Sequence, residues 1–185
     1  MSQTQENLLK AFAGESMARN KYTYFAEQAR KENLIWIAEV FEETAGNERA
    51  HAQEEYEQMK DGDKMTNTYD INTQGTTLEN LKHSVAGETF EYTKMYPEFA
   101  KIAEDEGETE VARLFTEIME TEEKHAERYQ ILVDRLEAGK LFESDEEIEW
   151  KCLNCGYIHK GTSAPDKCPL CQKVQGYYEG LGVVR

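Results

Sequence analysis

The stretch that decides the fold is residues 108–138, ETEVARLFTEIMETEEKHAERYQILVDRLEA. Apolar residues recur in it every three or four positions, which is the period of an α-helix with one buried face. The same face also carries Glu122 and His125, which lie one helical turn apart. Because buried ionised groups are costly unless they are paired or bind a metal, this stretch predicts a long helix that faces both a core and a polar site.

Three other segments show the same period, and the four long helices are predicted near residues 4–31, 33–60, 77–105 and 108–138. We predict N-caps at Asn33 and Thr77 and a C-terminal cap at Gly139. Pro97 lies inside the third helix, where it removes a backbone hydrogen bond and is expected to kink the helix. Four such helices with one long connection predict an all-α four-helix bundle of the ferritin-like kind.

The long connection is predicted at Asp61–Gly75, a segment rich in Asp, Asn, Thr and Gly. A helix of about 28 residues, the typical length predicted here, is about 42 Å long. Fifteen extended residues reach about 50 Å. The connection is therefore long enough to cross the full length of the bundle.

The two helical pairs resemble each other in sequence. Ala13-Gly14-Glu15 recurs as Ala86-Gly87-Glu88, which is an offset of 73 residues. At later positions the offset is 74, and the following residues match: Tyr22 with Tyr96, Glu48 with Glu122, and His51 with His125. This repeat predicts a duplicated helical hairpin.

All four predicted apolar faces contain a carboxylate, and two also contain an imidazole. Glu15 and Glu88 lie on the first and third helices, whereas the second and fourth helices each carry Glu-x-x-His. This spacing places carboxylate and imidazole on one face, so both can reach one ion. The combination is the ligand set of dinuclear carboxylate sites in ferritin-like bundles, and it suits iron or manganese. Glu-x-x-His alone is a weak signal in so acidic a chain, but its recurrence in both halves of a repeat strengthens it.

A second candidate metal site lies near the C-terminus, where all four cysteines occur as Cys152-x2-Cys155 and Cys168-x2-Cys171. In a chain without a secretion signal, two such pairs predict a tetrahedral metal site rather than disulfides. Their spacing alone fits both iron and zinc. We predict a bundle over residues 1–138, a linker over 139–148 and a small metal-dependent β and loop domain over 149–185.

The charge of the chain excludes several classes of protein. Its 37 acidic and 21 basic residues give a net charge of −16, which is the wrong sign for binding nucleic acid or an anionic membrane surface. It contains no apolar run near the roughly 20 residues needed to span a bilayer. Because the N-terminus is polar and lacks an apolar signal core, we expect a cytoplasmic protein.

Several segments together resemble the rubrerythrin family. They are Ala11–Ser16 (AFAGES), Glu48–His51 (ERAH), Gly87–Tyr92 (GETFEY), Met95–Pro97 (MYP), Glu122–His125 (EEKH), Cys152–Tyr157 (CLNCGY) and Cys168–Cys171 (CPLC). The similarity covers nearly the whole chain, in the order of the family. Rubrerythrins are ferritin-like di-iron proteins with a C-terminal rubredoxin-like domain, and they are best supported as peroxidases of anaerobes and microaerophiles.

The resemblance implies which residues hold each metal. A non-haem di-iron centre is expected on Glu15, Glu48, His51, Glu88, Glu91, Glu122 and His125, and a mononuclear iron on Cys152, Cys155, Cys168 and Cys171. Tyr22 and Tyr96 match family tyrosines that donate hydrogen bonds to ligand carboxylates. In rubrerythrins one iron exchanges the glutamate that matches Glu91 for the histidine that matches His51 on reduction. Gln172 stands where rubredoxins usually have a glycine.

The resemblance also implies the activity and the partners. Hydrogen peroxide would be reduced to water with electrons from an NAD(P)H-dependent reductase or a rubredoxin-type donor, entering through the tetrathiolate iron. A homodimer is expected, in which the rubredoxin-like domain of one chain faces the di-iron site of the other. One alternative is a ferroxidase or iron-handling protein of the ferritin type, because an acidic bundle attracts Fe²⁺. Another is a zinc-ribbon interaction protein with a structural metal in its bundle, which leaves the Glu and His residues unexplained.

Overall fold

The computed structural model describes residues 2–60, 62, 64, 66–69 and 73–184, which form a helical bundle followed by a small β-sheet. The helical part consists of α1 (Gln3–Lys31), α2 (Ile35–Glu57), α3 (Thr77–Phe90), a π-helical turn (Glu91–Met95), α4 (Tyr96–Asp105) and α5 (Thr109–Glu137). α3, the π-helical turn and α4 follow one another without a break and together span residues 77–105, the range of the third predicted helix. No helix among these described residues is long and apolar enough to cross a membrane. The prediction of a four-helix bundle is confirmed.

The predicted N-cap of the second helix is wrong. Asn33 instead closes α1, with a left-handed φ of 60°. The N–H groups of Asn33 and Leu34 donate to the carbonyls of Arg30 and Ala29, at 3.1 and 2.9 Å, which is the Schellman pattern of a helix C-terminus. Asparagine is one of the few residues that tolerate this conformation, so the residue that was expected to start a helix ends one.

The predicted N-cap of the third helix is wrong by one residue. Thr76, not Thr77, caps α3: its hydroxyl accepts from the N–H of Glu79, whose carboxylate accepts from the N–H of Thr76. This capping box has the spacing Thr-x-x-Glu, so the signal was present in the sequence. Gly139 does follow the C-terminus of α5 as predicted, with a φ of 67° and its N–H donating to Leu136.

The connection between α2 and α3 runs along the whole bundle. The N–H of Lys60 donates to the side chain of Gln5 at the start of α1, at 3.0 Å. The N–H of Thr77 donates to the carboxylate of Glu32 at the other end of α1, at 3.1 Å. The described part of the predicted loop Asp61–Gly75 forms neither helix nor strand, and its residues 61, 63, 65 and 70–72 lie outside the described residues.

The π-helical turn accounts for the change of offset in the repeat. It lies between Glu88, where the offset is 73, and Tyr96, where the offset is 74. The N–H of Tyr96 donates to the carbonyl of Glu91, five residues earlier, so one extra residue is accommodated here. Pro97 has no N–H for the carbonyl of Thr93. The irregularity expected at the proline therefore takes the form of this turn.

Buried apolar side chains form two clusters, which lie on either side of the predicted ligands along the bundle. One cluster contains Phe25 and Phe41, and the other contains Phe99 and Phe115. The carboxylate layer lies between them, because Glu15 is in the middle of α1. The two clusters therefore enclose that layer and separate it from water at both ends of the bundle.

The C-terminal residues form a three-stranded antiparallel sheet in the order β2-β1-β3. Its strands are β1 (Glu143–Cys152), β2 (Ile158–Ser163) and β3 (Tyr178–Gly180). β1 includes residues 143–148 of the predicted linker, and in it Glu143 pairs with Ser163 and Ile148 with Gly161. The predicted domain boundaries, 1–138, 139–148 and 149–185, stay predictions.

The sheet packs on the turn between α1 and α2. Trp150 and Tyr178 of the sheet belong to the same apolar cluster as Trp36 of α2. A close approach occurs at Gly176, in the 3-10 turn Gln175–Tyr177 that precedes β3, where an added Cβ would lie 1.6 Å from the carbonyl oxygen of Asn33. A side chain cannot fit there without moving one backbone away from the other.

Gly176→Ala is therefore expected to separate the sheet from the α1–α2 turn. The clash is between backbone and Cβ, so it should cost about 1–3 kcal/mol, as overpacking does elsewhere. Thermal unfolding and hydrogen exchange of β3 would measure the loss of stability.

Gly46→Ala is the matched control, because nothing lies within 4 Å of its added Cβ. In a helix this change should stabilise the protein by about 0.5–1 kcal/mol. Equal melting temperatures for Gly176→Ala and the wild type would contradict the docking.

Candidate metal centres

The interior of the bundle holds two overlapping groups of potential metal ligands. In each group, one ligand atom from every residue lies within 4.8 Å of the others. The first group is Glu15, Glu48, His51 and Glu122, and the second is Glu48, Glu88, Glu122 and His125. Since Glu48 and Glu122 belong to both groups, each carboxylate can bridge two ions.

The two Glu-x-x-His pairs face each other across α2 and α5. His51 Nδ1 lies 3.0 Å from a Glu48 oxygen and 2.8 Å from a Glu122 oxygen. His125 Nδ1 lies 2.6 Å from the second Glu122 oxygen and 3.2 Å from the second Glu48 oxygen. Each imidazole is therefore held between the same two carboxylates, which is the arrangement expected around a shared pair of ions.

The carboxylates of this layer are almost inaccessible to water. Glu15 and Glu88 are each 1% exposed, and the Oε2 atom of each accepts no hydrogen bond within the described part of the chain. Burial first, and repulsion by Glu48 second, raise the pKa of both carboxyl groups well above their usual range. Multivalent cations would relieve both costs, so these residues fit a pair of iron or manganese ions.

The same buried carboxylates raise the pKa of both imidazoles and so favour their protonated form. Burial opposes a positive charge on them, but hydrogen bonds with Glu122 and Glu48 raise the pKa of His51 to about 10 and that of His125 to about 9. Burial also disfavours charge on Glu122, yet the two histidines lower its pKa to about 2. Protons thus neutralise part of this anionic layer, and metal binding must displace them.

Two tyrosines orient carboxylates of the opposite hairpin. The hydroxyl of Tyr22 on α1 donates to Glu88 on α3, and the hydroxyl of Tyr96 on α4 donates to Glu15 on α1. Both tyrosines are fully or almost fully buried. The contacts are equivalent in the two halves of the repeat, and each holds one carboxylate in a single orientation.

Glu91 lies on the π-helical turn, beside the two groups but in neither of them. Burial first, then repulsion by Glu122 and Glu48, raise the pKa of Glu91 to about 8, although a hydrogen bond with Glu88 opposes the shift. Glu91 also lines a cavity of about 430 Å³, together with Gly14. The structure thus brings six of the seven predicted ligands into the two groups and places Glu91 between them and this cavity.

One buried residue next to this site was not predicted. Glu55 is 0% exposed, and its Oε1 atom lies 3.0 Å from the Tyr96 hydroxyl. It follows His51 by one helical turn, so the apolar face of α2 continues to it. That continuation was the signal available in the sequence.

The four cysteines form the second candidate centre. Their sulfur atoms all lie within 4.8 Å of one another, with Cys152 to Cys171 at 3.7 Å and Cys155 to Cys168 at 3.6 Å. A tetrahedron with metal–sulfur bonds of about 2.3 Å has edges of about 3.8 Å. The sulfurs are therefore spaced for one tetrahedral metal and too far apart for disulfides.

Gln172 adopts the backbone conformation for which a glycine was expected. Its φ is 62°, in the left-handed region. The next backbone N–H, that of Lys173, donates to the sulfur of Cys171 and lowers the pKa of that thiol. The glutamine therefore keeps the N–H to sulfur hydrogen bond, at the cost of a strained residue.

A four-helix bundle with a buried carboxylate and histidine layer, joined to a four-cysteine module, defines a dinuclear carboxylate protein of the ferritin-like class. The comparisons with known families agree with this class. The family model Rubrerythrin matches residues 6–133, and the family model for the rubredoxin-like domain of rubrerythrin matches residues 150–179. The chain belongs to the rubrerythrin family.

Individual relatives match along nearly the full chain. It is 42% identical over 183 residues to a rubrerythrin of Nitratidesulfovibrio vulgaris, covering 98% of this chain and 96% of the relative. It is 44% identical to a rubrerythrin of Clostridium perfringens, covering 96% and 94%. Among solved structures, mixed-valence nigerythrin matches with a TM-score of 0.67 and 33% identity, covering 97% of this chain and 87% of that one.

Membership of the family establishes the class of cofactor and the broad role. The cofactors are a non-haem di-iron centre and a mononuclear iron centre on four cysteine thiolates. Rubrerythrins are oxidoreductases of oxidative-stress defence, and the rubredoxin-like domain makes electron-transfer proteins its expected partners.

Proposed function

We propose that this protein is a peroxidase that reduces hydrogen peroxide to two molecules of water. The reaction consumes two electrons and two protons. The electrons come from an NAD(P)H-dependent reductase or a rubredoxin-type donor and enter through the four-cysteine centre. The observation that carries this proposal is the pair of ligand groups that share Glu48 and Glu122.

The proposed ligands of the di-iron centre are Glu15, Glu48, His51, Glu88, Glu91, Glu122 and His125, and those of the mononuclear iron are Cys152, Cys155, Cys168 and Cys171. When bound, the two irons supply one electron each and act as Lewis acids. The carboxylates balance the positive charge, and Tyr22 and Tyr96 keep two of them in place.

The cavity beside Glu91 is the proposed entrance for peroxide. The carboxylates of the two groups are at most 1% exposed, whereas Glu91 is only partly buried and lines the cavity. Gly14 and Met17 of α1 form the opposite side. A small neutral oxidant can pass there, while the two apolar clusters close the ends of the bundle.

The proposed assembly is a homodimer in which the four-cysteine module of one chain serves the bundle of the other. Within one chain the module packs on the α1–α2 turn. Glu15 lies about 24 Å along α1 from Lys31, where that turn begins. A second chain would shorten the path for electrons by bringing its module to the side of the bundle.

A ferroxidase or iron-handling role is the second candidate, and the net charge of −16 favours it. Such a role has no use for an electron entry site. The four-cysteine module therefore favours the peroxidase.

Anaerobic NADH-coupled peroxide turnover, with metal content measured on the same sample, tests this proposal. We expect three irons per chain after iron loading, two in the bundle and one on sulfur. Omitting the donor should stop turnover. A colourless protein with one tight zinc and no iron uptake would remove the enzyme proposal. Iron uptake without peroxide consumption would favour the ferritin-like role.

A further inference from the structure

Glu55 has no place in the proposed ligand set, yet it is completely buried beside it. Its Oε1 atom lies 3.0 Å from the hydroxyl oxygen of Tyr96, and its Oε2 atom has no hydrogen-bond partner among the described residues. The hydroxyl of Tyr96 also contacts Glu15. Glu55, Tyr96 and Glu15 thus form a continuous chain of hydrogen-bonding groups.

The number of protons shared by Glu55, Tyr96 and Glu15 decides which group donates in each of the two hydrogen bonds. A phenol has one proton to donate, and an ionised carboxylate can only accept. If Glu15 binds a metal it is ionised, so the Tyr96 proton points to it. The remaining contact is then satisfied only if the Glu55 carboxyl keeps its own proton and donates to the Tyr96 oxygen.

The surroundings of Glu55 favour the un-ionised form. Glu55 is 0% exposed, and when the Tyr96 proton points to Glu15 no group donates a hydrogen bond to Glu55. An ionised carboxylate there would bear the full penalty of desolvation. Burial is also the largest cause that raises the pKa of Glu55 well above its usual range, against opposing effects from Tyr96 and His51.

The other half of the repeat provides an internal comparison. At the offset of 74, the counterpart of Glu55 is Tyr129. The rings of Tyr129 and Tyr22 are 5.5 Å apart, but the hydrogen bonds within the described residues include none between them. The tyrosine that holds Glu15 is therefore supported by a carboxyl group, and the tyrosine that holds Glu88 is not.

We propose that Glu55 is a positioning residue whose un-ionised carboxyl group donates to Tyr96 and commits the phenol proton to Glu15. This inference rests on the proposed role of Glu15 as a ligand. Hydrogen bonds in a chain strengthen one another. The hydrogen bond from Glu55 to Tyr96 therefore strengthens the one from Tyr96 to Glu15, which withdraws electron density from the Glu15 carboxylate. Glu15 then stabilises the ferric state less, so the reduction potential of that side of the centre is higher.

Two variants of Glu55 separate the donor from the acceptor role. Glu55→Gln keeps an N–H donor of similar shape, whereas Glu55→Met keeps the length but removes every polar atom. In redox titrations of the iron-loaded protein, we expect the Gln variant to match the wild type and the Met variant to have a lower potential. In the background of Tyr96→Phe, Glu55→Met should cause no further shift, because its effect passes through the phenol.

Infrared spectroscopy supplies a readout that does not depend on activity. The iron-loaded wild type should show a carboxylic acid C=O band that is missing in both Glu55 variants. Tyr129→Phe is the matched control at the equivalent position of the repeat, and it should leave the potential unchanged. Thermal unfolding and iron content establish that each variant is folded and loaded.

Each other outcome overturns the inference. A potential raised by both Glu55 variants would identify Glu55 as an ionised carboxylate. The proposed hydrogen bonds would be disproved by an unchanged reduction potential in both variants or by equal lowering in both. They would also be disproved if the effects of Glu55→Met and Tyr96→Phe on the potential were additive. None of these readouts requires peroxide turnover, so failure of the peroxidase proposal would be seen separately.

Discussion

Replacement of Cys155 by serine is expected to lower NADH-coupled peroxide turnover by more than 100-fold and to leave the bundle folded. Loss of a group that merely supports a metal ligand already costs about 10–100-fold in affinity, so loss of a ligand should cost more. The bundle site, once reduced chemically, should still be oxidised rapidly by peroxide. Stopped-flow oxidation and steady-state turnover on the same preparation would measure the two steps.

A zinc-loaded module is the control for Cys155→Ser. Zinc preserves the four-cysteine fold but carries no redox change. The same collapse of turnover with zinc in place would assign the effect to electron entry rather than to unfolding of the sheet. Unchanged turnover in the serine variant would mean that electrons enter the bundle by another route.

Glu91→Ala should raise the reduction potential of the di-iron site and lower peroxide turnover by about 10–100-fold, as removal of other groups that support metal sites does. Glu91 is an extra carboxyl group without a counterpart in the first half of the repeat, where Met17 or Ala18 stands, and metal binding would ionise it despite its raised pKa. A spare anion favours the more positive ferric state, while neutral His51 suffices for the ferrous state. Ferrous binding should therefore remain largely intact in the variant, and a redox titration would detect the shift.

Glu98→Ala is the matched control for Glu91→Ala. Glu98 is an exposed residue of the same cavity, so its removal changes the same charge at the rim without touching the ligand groups. We expect its titration curve and turnover to match the wild type. If Glu91→Ala behaves as Glu98→Ala does, Glu91 is an ordinary helix glutamate and not a ligand.

The local features of the site could be predicted from the sequence because they follow from helical geometry. Glu48 and His51 are one turn apart in any α-helix, and so are Glu122 and His125. The repeat shows that both pairs belong to one layer, and the cysteine spacing predicts a tetrahedral centre. The two wrong caps also have local causes: Asn33 tolerates the left-handed conformation of a helix end, and two adjacent threonines precede α3, of which only Thr76 has Glu79 three residues later.

The chain by itself determined the kinds of ligand, their spacing along each helix and the division into a bundle and a four-cysteine module. Only the tertiary structure decided that Glu48 and Glu122 are shared between two groups, that Glu55 meets Tyr96, and that Gly176 rests on Asn33. These contacts join residues far apart in sequence, and helical periodicity carries no information on such distances. The one-residue insertion was visible as a change of offset. Its form, a π-helical turn that includes Glu91, was not, because the offset does not say which residue between Glu88 and Tyr96 takes the extra position.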